Sequence, residues 1–180
     1  YDGTDASALL NASVGTGNVA AANNSDFLDS SISGGSITVY NENGTSMAVE
    51  VRYAKTVNAD SGVPVDDTWT MYIGTGDTAT TTWYDVGNVT FDSTGELNGM
   101  TDGIIGTADF ANESFSIPTL TIGSTTLSNL EISFGGGALT QYSDTDGTAS
   151  SVSLEQDGFA AGELVGVAVD ESGRVIASYS

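Results

Sequence analysis

Apolar residues in this chain recur at every second position and almost nowhere at every third or fourth. Ile37 and Val39 alternate with polar neighbours, as do Met47, Val49, Val51 and Tyr53, and then Trp69, Met71 and Ile73. Successive side chains of a strand point to opposite faces, so this is the pattern of strands that bury one face. Val89 and Phe91 continue it, and Leu127, Leu130, Ile132 and Phe134 form a further apolar run whose last three members alternate. Each run stops at turn residues: Asn41-Glu42-Asn43-Gly44, Gly74-Thr75-Gly76-Asp77, Asp92-Ser93-Thr94-Gly95 and Gly135-Gly136-Gly137. Asn-Gly is a hairpin signal because both residues accept the positive φ of a tight turn. Pro118 cannot donate to a ladder and suits an edge strand or a bulge.

Helical signals are short. Asp5 could cap Ala6 to Leu10, and Asn24 or Ser25 could cap one turn through Asp26-Phe27-Leu28-Asp29. Neither is long enough to organise a fold, and there is no heptad or internal repeat. The expected fold class is all-β: an outer β-sandwich or barrel-like domain plus part of a second β domain. The polar stretch Gln141 to Ser151 reads as a linker, which places the outer domain at 1–148 and a hairpin segment at 149–180. In that segment Leu164 to Val169 and Arg174 to Tyr179 flank the turn Asp170-Glu171-Ser172-Gly173. A lone hairpin is marginal in water, so its companion strands are expected outside this stretch of chain. The start, Tyr1-Asp2-Gly3-Thr4-Asp5, has no initiator Met and no basic n-region, and reads as a piece of a larger or processed protein.

Composition removes whole classes of chemistry. The 180 residues include no His and no Cys. Ser-His-Asp and Cys-His catalysis are therefore excluded within the chain, as are His- or Cys-ligated zinc and thiolate-held clusters. Disulfides are absent too, so an extracellular life must rest on packing alone. Twenty-four acids against three bases give a net charge of −21. Arg52, Lys55 and Arg174 cannot neutralise a nucleic-acid track, and an anionic membrane surface would repel the chain. No apolar run approaches the ~20 residues a helix needs to span a bilayer. The charged fraction is only 15% and there are 15 aromatics, which favours a packed core over disorder.

The candidate sites each have a plain structural reading beside the functional one. Two carboxylates could run glycoside hydrolysis without His, but the acids sit beside Gly, Ser and Thr as turn residues do, and no catalytic pair stands out. Asp144-Thr145-Asp146-Gly147, with Glu155 at loop position 12, has the spacing of a calcium loop. Its Gly falls at position 4 instead of 6, so an acidic turn is the stronger reading and a weak calcium site the alternative. No other metal or cofactor site is expected. Trp69, Tyr72, Trp83 and Tyr84 could stack on a sugar, yet Trp69 is in phase with Met71 and Ile73 and points to the core, with Tyr72 on the opposite face. Trp83-Tyr84 belongs to a loop or the start of a strand. Arg52 is out of phase with Val49, Val51 and Tyr53 and is expected to face solvent or a partner. A surface salt bridge is its default role and an interface its sharper one.

Two stretches resemble the bacterial flagellar hook protein family. One runs from Thr38 through Val39-Tyr40-Asn41 and the strand Met47 to Tyr53 to Lys55-Thr56, then Thr68-Trp69-Thr70-Met71-Tyr72. In it the family's usual turn Asp is Asn41, and Met47 replaces a common polar His. Phe91-Asp92-Ser93-Thr94-Gly95-Glu96-Leu97 is similar to the family's strand–turn element. The more specific stretch is Leu154-Glu155-Gln156-Asp157-Gly158-Phe159-Ala160-Ala161-Gly162-Glu163-Leu164, continuing through Asp170-Glu171-Ser172-Gly173-Arg174 to Ser178-Tyr179-Ser180. It is similar to a segment of hook and rod axial proteins where the chain re-enters an inner domain. The resemblance implies a non-enzymatic, exported subunit of the hook, a flexible helical tube between motor and filament. Its partners would be copies of itself and other axial proteins, and its place the extracellular flagellum at the basal body. The family's helical termini are absent from this stretch, so the piece alone is expected to be monomeric. The alternative is an adhesin-like β-sandwich that binds calcium or carbohydrate.

Overall fold

The computed structural model describes residues 17–41, 43–59, 66–136, 139–141 and 164–179. It is all-β apart from one short helix. Strand β1 is Val19–Ala20, followed by a 3-10 turn and helix α1, Asn24–Asp29. A meander follows: β2 (Ile32–Tyr40), β3 (Ser46–Val57), β4 (Asp67–Gly74), β5 (Thr81–Phe91) and β6 (Leu97–Asp102). Strands β7 (Thr107–Asp109), β8 (Ser114–Ile122) and β9 (Thr125–Ser133) form a second sheet, and β10 (Leu164–Val169) pairs with β11 (Val175–Tyr179). All pairing is antiparallel.

The alternation seen in the sequence builds the main core. Val49, Val51 and Tyr53 of β3, Trp69, Met71 and Ile73 of β4, and Val86, Val89 and Phe91 of β5 form one wall. Phe115, Ile117 and Leu120 of β8, with Leu127 and Ile132 of β9, form the other. The expectation of strands buried on one face falls short for the middle of the large sheet. Ala54, Thr70, Tyr72 and Trp83 on its opposite face are buried as well. Helix α1 is the reason: its Phe27 is fully buried against Tyr72 and Trp83, at ring-centroid distances of 4.9 and 5.1 Å.

One residue in β5 changes phase. Tyr72 pairs with Asp85 and Met71 with Gly87, so Val86 is an extra residue, a β-bulge. It lets Tyr84 and Val86 reach the same core as Val89 and Phe91. The free edge of β5 is covered piecewise: β1 pairs at Trp83 and Thr81, and β6 pairs from Gly87 to Phe91. Between them the Asp85 carbonyl accepts the N–H groups of Ile104 and Ile105, both at 3.0 Å. That close approach demands glycine. A Cβ on Gly87, whose φ is +153°, would lie 2.4 Å from the Phe115 ring, and one on Gly106 would lie 2.1 Å from the Val86 carbonyl oxygen.

Pro118 lies in β8, the central strand of the small sheet, but β7 pairs only with Ser114 to Ser116. The proline therefore meets no ladder on that side, and the opposing β9 residue, Asn129, has φ +53°. Both strands shift phase there: Ile117 and Leu120 are inward, opposite Leu130 and Leu127. This is the irregularity expected from the proline.

Candidate functional site

Three hairpins end in the same five-residue turn. Asn41 N–H donates to the Thr45 carbonyl, Asp92 to Glu96 and Asp170 to Arg174, all at 3.0 Å. In each, the glycine in fourth place (Gly44, Gly95, Gly173) has φ between +72° and +83° and donates back to the first residue's carbonyl. In each, the first side chain caps the turn. Asp92 Oδ1 accepts Thr94 N–H at 2.8 Å and Glu96 N–H at 3.1 Å, and Asp170 Oδ1 accepts Ser172 and Arg174 N–H, both at 2.9 Å. Asn41 Oδ1 does the same for Asn43 and Thr45, at 3.0 and 2.9 Å. An amide oxygen therefore replaces the carboxylate without loss of the turn. Hydrogen bonds from Thr94 and Ser172, side chain and main chain, hold Asp92 and Asp170 below the ordinary carboxylate range. Bonds from Thr80 and Ala79 act likewise on Asp77, and bonds from Asn112 on Asp109. These acids serve their own turns. Among the described residues no three carboxylates gather as a metal site. Asp144, Asp146 and Glu155 lie outside the described residues.

The four aromatics do not form a platform. Trp69 belongs to the main core with Tyr84 packed against it, whereas Tyr72 and Trp83 lie under α1 on the opposite face. Trp69, Tyr72 and Trp83 are all buried. Trp83 is the third residue of β5, and its indole N–H donates to Asn24 Oδ1 at 2.8 Å. Asn24 therefore does not cap α1 as its type suggested; Asn23 occupies the cap position, without a side-chain cap bond.

Arg52 does not project freely into solvent. It is half-buried on the α1 side, where Nε donates to Ser31 Oγ at 2.8 Å and Nη2 to the carbonyls of Ser31 and Leu28 at 2.8 and 3.3 Å. A cation is well placed at carbonyls just past a helix C-terminus. Its guanidinium also lies 5.9 Å from the Trp83 ring centroid and 3.7 Å from Glu50. Burial draws its pKa down, and Glu50 offsets part of that. Arg52, Glu50, Leu28 and Trp83 line an open cleft that Thr75 and Ile122 also border. The cleft's two charges already face each other.

Lys55 is more deeply placed: its side chain is 3% exposed and its Nζ lies 2.8 Å from Asp67 Oδ2. Gln141, read from the sequence as linker, donates from Nε2 to the same oxygen at 2.6 Å and accepts from the Trp69 indole at 2.9 Å. Burial alone would raise Asp67, but the Ala59 N–H, Lys55 and Gln141 outweigh it and hold the group low. Asp85 is the contrasting acid. Its Oδ1 is buried without a hydrogen-bond partner among the described residues, and burial pushes its pKa up. Sequence reading missed both acids, because each differs from the turn acids only in what surrounds it.

The described residues thus form packed antiparallel sheets in which the turn acids, Arg52 and the Lys55–Asp67 pair are engaged within the fold. A comparison with known families places the chain. The family model described as the flagellar basal body protein FlaE D2 domain matches residues 10–159, and the chain belongs to that family. This is a hook-protein domain, part of the extracellular flagellum attached to the basal body, and its family is not one of enzymes. No curated protein and no solved structure matched the chain significantly.

Proposed function

We propose that this chain is the outer module of the hook subunit, with residues 1–148 forming the outer domain and 149–180 the return into an inner one. The hook is the flexible helical tube that carries torque from motor to filament. The observation that carries the reading is the family match across 150 of the 180 residues, counted from 10 to 159. The β10–β11 hairpin supports the division. Val167 pairs with Ala177 and Val169 with Val175, and these three valines are more than 60% exposed. Such a face calls for a cover, which the remaining strands of an inner domain would supply.

A helical tube needs head-to-tail contacts that repeat without closing. A tube that bends while turning needs outer contacts that slide, which means small, wet and polar ones. A surface rich in Ser, Thr and Asn on a rigid sandwich suits that demand. The partners are other copies of the parent protein and neighbouring axial proteins, and the module works without catalysis. By itself the chain is expected to run as an 18.3 kDa monomer. The test is peptide mass spectrometry of hook–basal bodies purified from the source organism. Peptides of this chain should be among the abundant ones; their absence from intact hooks would remove the proposal.

A further inference from the structure

Strand β9 ends at Ser133, and two glycines in left-handed conformation follow, Gly135 and Gly136 with φ +75° and +59°. A chain leaving a domain at such a link would swing from it. Here it is caught again. Leu139 packs against the main core, Thr140 forms a β-bridge with Glu96, and Gln141 N–H donates to the Gly95 carbonyl at 2.9 Å. The Gln141 side chain then uses both of its ends, on Trp69 and on Asp67. Asp67 is shared further: Oδ2 also takes Lys55 Nζ, and Oδ1 accepts Ala59 N–H at 2.6 Å. Lys55 bonds Asn58 as well, at 3.1 Å, and its ammonium stands 5.6 Å from the Trp69 ring centroid. The end of β3, the start of β4 and the segment 139–141 therefore meet at one carboxylate.

We propose that Lys55, Asp67, Trp69 and Gln141 form a polar clamp, and that this clamp, not apolar packing, holds the segment 139–141 on the Trp69 end of the large sheet beyond the glycine link. Apolar packing could close this corner without charge. A buried ion pair costs desolvation and contributes little net stability, but it accepts partners only in set directions. Gln141 fits as an adaptor, because one amide supplies an acceptor for the indole and a donor for the carboxylate. The inference goes beyond the hook reading and does not depend on it.

Hydrogen exchange read by mass spectrometry on the full 180-residue chain tests the clamp. In the unaltered protein the peptide containing residues 139–141 is protected. Gln141→Ala should raise its exchange by about tenfold or more, the effect of losing two hydrogen bonds, with β3–β4 peptides unchanged. Gln141→Met keeps length and bulk while removing both bonds and should give the same local release. The proposal fails if Gln141→Met retains full protection, since packing then holds the segment. It fails equally if the unaltered segment is unprotected, or if both variants loosen the whole sandwich in parallel.

Discussion

Two aspartates, Asp67 half-buried and Asp85 buried, pull stability in opposite directions with pH. Asp67 is held below its ordinary pKa, so its stabilisation is complete above the ordinary carboxylate range and is lost as pH falls through the depressed value. Asp85 is raised, so the native state is favoured at low pH, and that favour is lost as pH climbs from the ordinary value through the raised one. Asp85→Asn should therefore stabilise the chain at pH 7 by about 1–3 kcal/mol, since it removes a buried charge with an unpaired oxygen. Urea melts at pH 7 and pH 3 check this, and the gain should vanish in acid. A variant no more stable at pH 7 would mean that Asp85 is not burdened by its charge. Asp67→Asn should act in the reverse sense, costing about 1–3 kcal/mol at pH 7 because Lys55 loses a charge-assisted bond to a carboxylate. Equal melts of variant and parent would contradict that. At this scale the sequence was informative about turns and silent about burial. Asp92-Ser93-Thr94-Gly95 announces its own geometry, because the bonds it makes lie within five residues. Asp67 is bonded by Lys55 across 12 positions and by Gln141 across 74, and nothing local marks them.

At the scale of elements, the period-two runs located β3, β4 and β5 and their core faces, because alternation is a direct imprint of the pleat. The runs could not show that the second face would be covered. That depends on Phe27, a single aromatic in a six-residue helix, and a helix so short is defined by its docking and not by its own propensity. Phe27→Ala should cost about 3–5 kcal/mol and shift Trp83 fluorescence to the red as the helix lifts away. Unfolding by urea with tryptophan emission measures both, and unchanged emission would show that α1 does not shield this face. The bulge at Val86 was also hidden, since an extra residue in a strand resembles an error of phase. Its mark in the sequence is Gly87. Gly87→Ala should destabilise by at least ~2 kcal/mol, because its Cβ would strike both Phe115 and the Thr101 carbonyl. A melt within ~0.5 kcal/mol of the parent would show that β8 can back away.

For the molecule as a whole, the charge of −21 takes on a partial account. Asp77, Asp92, Asp109 and Asp170 are capping groups of their own loops, so four of the 24 acids follow from how this fold turns its corners. Asn41 shows that a neutral cap also closes the turn, so the charge itself answers to something beyond the turn. Like charges on exposed surfaces repel over roughly 8–10 Å at physiological salt. The family assignment joins these properties to a place: a rigid acidic sandwich, without a catalytic constellation among its described residues, displayed on the hook. The most direct test is immunogold electron microscopy with antibody raised against this chain, applied to flagellated cells of the source organism. Label confined to the short curved segment at the flagellar base is the predicted result. Label spread over the cell surface, or none on flagella of cells that express the protein, would contradict it.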